Sequence, residues 1–161
     1  MTWVFNNIED YGVRSESIFV AGHSAGGYLD SMLGLDKRWF KKFEIDSDQI
    51  AGVITLSGHT ITHFTIRKHR GTVDTQPVVD EYAPLFHVRA YVPPFLLITG
   101  GRERELLRRY EGNACLMRRM RISSHRQLRL YELEGYGHRM VDPAIPLVLA
   151  EIKRVKLAKD F

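Results

Sequence analysis

The chain has 161 residues, 44% of them apolar and 26% charged, with a formal net charge of +4. That is enough for one domain with a buried core and too little for two, and the composition excludes a disordered or fibrous chain. A single cysteine, Cys115, excludes an internal disulfide, and no stretch is long and apolar enough to span a bilayer.

In chain order, residues 2–11 predict a helix. Trp3, Val4, Ile8 and Tyr11 form its apolar stripe, and Gly12 terminates it. The run Ser17-Ile18-Phe19-Val20-Ala21 predicts a strand, and residues 26–35 a helix directly after it. Residues 36–43 suggest a short surface helix, and residues 50–56 a second buried strand ended by Ser57-Gly58. Residues 59–92 lack strong periodicity and are too long for a simple connection, which marks them as a lid or substrate-binding insertion within a single domain, 1–161. A short helix is expected there at residues 83–86. Residues 95–99 predict a third strand, 103–120 an arginine-rich helix, 128–133 a fourth strand and 143–156 a last helix, with Asp142 as its cap. Strands of continuous apolar character alternating with helices predict an α/β class: a mostly parallel sheet with helices on both faces.

Gly22-His23-Ser24-Ala25-Gly26 occupies the turn between the first strand and the helix that follows. A Gly-x-Ser-x-Gly turn in that context forces the serine into a strained conformation with its hydroxyl exposed. Ser24 is therefore a candidate nucleophile, and the Ala25 N–H, at a helix start, a candidate oxyanion donor. His23 and Gly26, its neighbours in the turn, are candidate substrate-binding residues. A serine nucleophile needs a base and an orienting acid. His138, in a glycine-bearing loop after the fourth strand, fits the base because its unperturbed pKa lies near neutrality. Glu103, in the loop after the third strand, is the preferred acid. Glu105 is the runner-up, since it also reads as a first-turn glutamate favoured by the helix dipole. The three segments meet at the carboxyl edge of one sheet, where ligands bind in such folds.

Other clusters support blander readings. His59 and His63 stand four apart, but Thr-Ile-Thr between them is a poor helix and no glutamate follows His59, so no metal site is expected. Arg67-Lys68-His69-Arg70 reads as a solvated loop. The arginines between Arg102 and Arg121 alternate with Leu106, Leu107, Tyr110, Met117 and Met120, which suits an amphipathic helix better than a nucleic-acid surface.

With these motifs, the chain resembles the C-terminal part of an α/β-hydrolase-fold esterase or lipase of the carboxylesterase or acetyl-esterase type. The resemblance runs through residues 18–28, 50–62, 82–105 and 135–138. It implies cleavage of small carboxylic esters through an acyl-enzyme on Ser24, with no cofactor. The family usually places its acid three residues after the glycine that ends the strand, which from Gly100 arrives at Glu103. Related sequences often carry Asp where Gly101 stands. The resemblance also implies further strands before residue 2 and a His-Gly-Gly-type loop supplying a second oxyanion donor. Neither precedes Ser24, so a partial fold, weak turnover and an exposed sheet edge open to homo-oligomers are expected. A C–N hydrolase of the arylformamidase type and a non-catalytic remnant or assembly partner are the competing readings. No compartment is assigned: cytoplasm is the default, and a signal peptide upstream of Met1 stays open.

Overall fold

A computed structural model describes residues 1–106 and 108–159. Four parallel strands form its sheet: β1 (Phe19–His23), β2 (Gly52–Leu56), β3 (Phe95–Gly100) and β4 (Leu128–Leu133), in spatial order β1-β2-β3-β4. The register pairs Val20 with Val53, Ile54 with Leu96 and Leu97 with Leu130. Every residue of β2 and β3 is buried, as continuous apolar runs at the centre of a parallel sheet should be. Within the described residues β1 pairs on one side only, with β2.

Successive strand residues point to opposite faces, and two cores result. On one face Val20, Val53, Phe95, Leu97 and Leu128 meet Phe5 of α1 (Thr2–Asn7), Leu35 of α2 (Ala25–Leu35), Phe40 of α3 (Arg38–Lys41), and Leu116 and Met120 of α5 (Arg109–Ile122). On the other, Ile54, Leu56, Leu96 and Ile98 pack with Ala144 and Val148 of α6 (Val141–Lys159). The fold is the expected α/β architecture with helices on both faces. Among the described residues no helix is long and apolar enough to cross a membrane.

Several boundaries differ from expectation. The first helix tightens to a 3-10 turn over Ile8–Tyr11 before Gly12, at φ 76°, ends it. Asp142 lies in the first turn of α6 and not at its cap. Residues 59–92 contain an unforeseen helix, α4 (Phe64–His69), while the short helix expected at residues 83–86 is a 3-10 turn at Pro84–His87. The basic run there is no solvated loop at its first residue. Arg67 is only 4% exposed, and its guanidinium donates to the carbonyls of Thr62, Asp74 and Gln76 at 3.0, 2.8 and 2.8 Å. It ties the segment's turns together by satisfying carbonyls that lack a regular partner.

The largest difference concerns α5, which begins at Arg109 instead of residue 103. Arg108 takes a left-handed conformation (φ 59°), so the helix does not extend back through it. Leu107, expected on its apolar face, lies outside the described residues.

Candidate active site

Ser24 stands between the last residue of β1 and the first of α2, with φ 58° and ψ −112°. Few residues with a side chain adopt positive φ, and the surrounding structure must enforce it. Here the Ser24 N–H donates to the Leu56 carbonyl at 2.8 Å, and the Ser24 carbonyl accepts from Tyr28 N–H at 3.1 Å. The turn is pinned to the neighbouring strand on one side and the helix on the other. Ala25 opens α2, where N–H groups have no partner within the helix.

The candidate base, His138, arrives on the loop after β4. Gly101 N–H donates to the Tyr136 carbonyl at 2.8 Å, which joins this loop to the one after β3. The two touch backbone to backbone: a Cβ on Gly100 would stand 2.6 Å from the Gly137 carbonyl oxygen. Only a glycine at that strand end lets the loops come so close. The contact brings His138 Nε2 to 3.0 Å from Ser24 Oγ and His138 Nδ1 to 2.9 Å from Glu105 Oε1. An ionised carboxylate only accepts, so Nδ1 carries the ring proton and Nε2 presents a lone pair to the Ser24 hydroxyl. His23 Nε2 lies 2.8 Å from the His138 carbonyl and donates to it, with the two rings 4.6 Å apart. Its ring steadies the base loop at this site.

The carboxylate beside the base is that of Glu105, which corrects the preference for Glu103. Glu103 is exposed in the turn at residues 102–104. Arg104 N–H and Glu105 N–H both donate to the Gly101 carbonyl at 2.9 Å, and this tight turn delivers residue 105 back to the sheet edge. The Glu105 side chain is 1% exposed, against 21% for His138. Its Oε1 accepts from Leu106 N–H at 2.8 Å, and its Oε2 from Gly100 N–H at 2.9 Å and from the Ser57 hydroxyl. Burial pushes its pKa up, but the donors from Ser57, Leu106, Gly100 and His138 together hold it below the ordinary carboxylate value. Ser57 escaped the sequence reading. Its one signal was position: like Ser24 and Gly101 it directly follows a strand.

Burial also lowers the pKa of His138, outweighing the opposite pull of Glu105, and Arg109 and His23 add to the lowering. His59 is pushed further, from an ordinary 6.5 to about 3, by burial and by Arg109, His63, Arg67 and His138 nearby. A ring neutral when folded and protonated when unfolded costs stability in the interval between the two values. His59 should thus destabilise the fold progressively as pH falls from 6.5 toward about 3. Thermal melts across that range are expected to show Tm falling with acidification, and His59→Gln should flatten the slope. His59 and His63 rings meet edge to face at 5.3 Å, and His63 Nδ1 accepts from Thr65 N–H at 3.4 Å at the start of α4.

A family model described as BD-FAE matches residues 1–108. Esterase LipC of Mycobacterium tuberculosis (strain ATCC 25618 / H37Rv) is 28% identical over 156 residues, which cover 86% of this chain and 38% of LipC. Native esterase 2 of Thermogutta terrifontis superposes with a TM-score of 0.69 at 21% identity, covering 99% of this chain and 59% of that one. The same esterase phosphonylated by cyclosarin gives 0.65 at 22% identity, over 86% of this chain and 51% of that one. The chain therefore spans 38% of the relative and roughly half of the solved esterases, and it shares their α/β-hydrolase fold.

Proposed function

The chain belongs to the BD-FAE family, and on that premise we propose that it hydrolyses small carboxylic esters through an acyl-enzyme on Ser24. The observation that carries this reading is the unbroken hydrogen-bonded line Glu105–His138–Ser24, at 2.9 and 3.0 Å. His138 Nε2 takes the Ser24 proton as Oγ attacks the acyl carbon. Glu105 keeps the proton on Nδ1 and stabilises the imidazolium that forms. The Ala25 N–H supports the negative oxygen of the tetrahedral intermediate. The imidazolium then protonates the departing alcohol, and water attacks the acyl-serine by the same route in reverse.

The substrate would lie beside Gly26, where a Cβ would meet nothing within 4 Å. Residues 59–92 would cover it as a lid, with His59 close enough to His138 to feel its charge. His23 would serve that site through the His138 carbonyl. The phosphonylation of a structural relative, esterase 2, agrees with a nucleophilic mechanism.

A fluorophosphonate probe tests the reading. The folded chain should be labelled at Ser24, Ser24→Ala should abolish labelling, and His138→Ala should weaken it. Ester turnover in Ser24→Ala should fall by up to about 10⁶-fold relative to the parent. Folded protein that resists the probe would remove the acyl-enzyme. A pH profile adds a second check. The base must be neutral to act, and burial lowers its pKa. Activity should therefore persist below about pH 6.5, the ordinary histidine value, and be lost as pH falls further.

A further inference from the structure

Ser57 has no role in the chemistry above, yet it is as tightly held as Ser24 at this edge of the sheet. It directly follows β2, is fully buried, and has φ 49°. A glycine would adopt that conformation without steric cost, whereas a serine carries a penalty there. All three of its polar groups are engaged. Its N–H donates to the Ile98 carbonyl at 2.7 Å, its carbonyl accepts from the buried guanidinium of Arg109, and its hydroxyl donates to Glu105 Oε2. Asn113 Nδ2 donates to the next carbonyl, that of Gly58, at 2.9 Å, so α5 grips the turn at two successive residues.

The two oxygens of Glu105 divide their work. Oε1 faces His138 and Leu106 N–H, while Oε2 faces Gly100 N–H and Ser57. Gly100 and Leu106 alone hold one oxygen each, so the carboxylate would keep its place without the hydroxyl. What the hydroxyl adds is a charge-assisted hydrogen bond to the oxygen remote from the imidazole. We propose that Ser57 is a positioning residue for the base: its hydroxyl draws carboxylate charge onto Oε2, away from His138, and so acts on the base through Glu105. The proposal rests on the reading of Ser24, His138 and Glu105 as the catalytic set. A base that meets a less concentrated charge releases its proton more readily and stays neutral, hence active, to lower pH.

Among the described residues, the titratable and charged groups facing His138 are Glu105 from the loop before α5, Arg109 from α5 itself, His23 from the end of β1 and His59 from the segment after β2. Only Glu105 touches Ser57 through its hydroxyl. Removing that hydroxyl should therefore raise the titration midpoint of His138, leaving the other three in place.

The test is an NMR titration of the histidine side chains in the full chain, with His138→Asn identifying the His138 signal. Ser57→Ala keeps the backbone penalty and Ser57→Gly relieves it, and both delete the hydroxyl. The expected result is a rise in the His138 midpoint of similar size in both, on the order of half a pH unit. The acid limb of ester turnover should move up with it. A midpoint unmoved or lowered in either variant, or raised only in Ser57→Ala, overturns the proposal and makes Ser57 a backbone feature. The titration reads His138 directly, so a chain that is folded but inert to fluorophosphonate would refute the hydrolase reading separately.

Discussion

Glu105→Gln is expected to cut ester turnover on the order of 10⁴-fold with the fold intact, the loss seen when a triad acid becomes its amide. The amide is isosteric, and Gly100 N–H still donates to its oxygen. If that oxygen stays on Oε2, the amide nitrogen faces His138 Nδ1, 2.9 Å away, and donates to it, while Leu106 N–H loses its acceptor. The ring proton then moves to Nε2, the atom that must receive the Ser24 proton, and the base is blocked. Losing the negative charge also removes the group that stabilises the imidazolium. The loss should fall mainly on kcat, because the Glu105 side chain is buried behind the histidine. Glu103→Gln, two residues away in an exposed turn, should change turnover less than about twofold. Steady-state kinetics on the two variants separates the carboxylates. Equal losses, or a larger loss at Glu103, would return the acid to the position first favoured.

That reversal shows where the sequence stops being legible. The meeting of Ser24 with His138 could be read because each is fixed by local backbone rules, a glycine-flanked turn in one case and a glycine-bearing loop in the other. Strands β1 to β4 could be read because buried parallel strands are continuous apolar runs. The carboxylate that meets His138 could not be read, because residues 103–108 have helix-forming composition and nothing local stops the helix. What stops it is tertiary: Glu105 is drawn inward by the Ser57 hydroxyl after β2, the Gly100 N–H at the end of β3 and His138 after β4, and the chain turns left-handed at Arg108 before the helix can start. Propensity loses to a buried charge that has found four donors. The same holds for Arg67, whose carbonyl partners lie in turns that no periodicity announces. Ser57 was hidden differently. A serine before a glycine at a strand end reads as a turn, and only its positive φ and burial reveal a cost that something must offset.

Gly22→Ala should be among the most damaging small substitutions for the fold, and Gly26→Ala, four residues on, among the most benign. A Cβ on Gly22 would stand 2.6 Å from the Gly26 carbonyl carbon and 2.9 Å from its oxygen, as well as 2.4 Å from Asp30 Oδ2. The Asp30 side chain can turn aside. The Gly26 backbone cannot, because it lies in the first turn of α2. It can yield only if the helix start moves off β1, and that displaces Ser24, which sits between the two. Nor can the helix retreat freely: Gly27 already packs against Gly22 and Gly58, where its own Cβ would lie 2.9 Å from the Gly22 carbonyl oxygen and 3.1 Å from Gly58 Cα. Overpacking of this kind costs about 3 kcal/mol, and here the strain falls on the 3.0 Å contact between Ser24 Oγ and His138 Nε2. Gly26→Ala meets open space and replaces a glycine inside a helix, a change that stabilises by about 0.5–1 kcal/mol. Urea unfolding of the two variants should move in opposite directions. Fluorophosphonate labelling should nearly vanish in Gly22→Ala while persisting in Gly26→Ala. A Gly22→Ala chain with parental stability and labelling would mean that the serine turn is not held by close backbone packing.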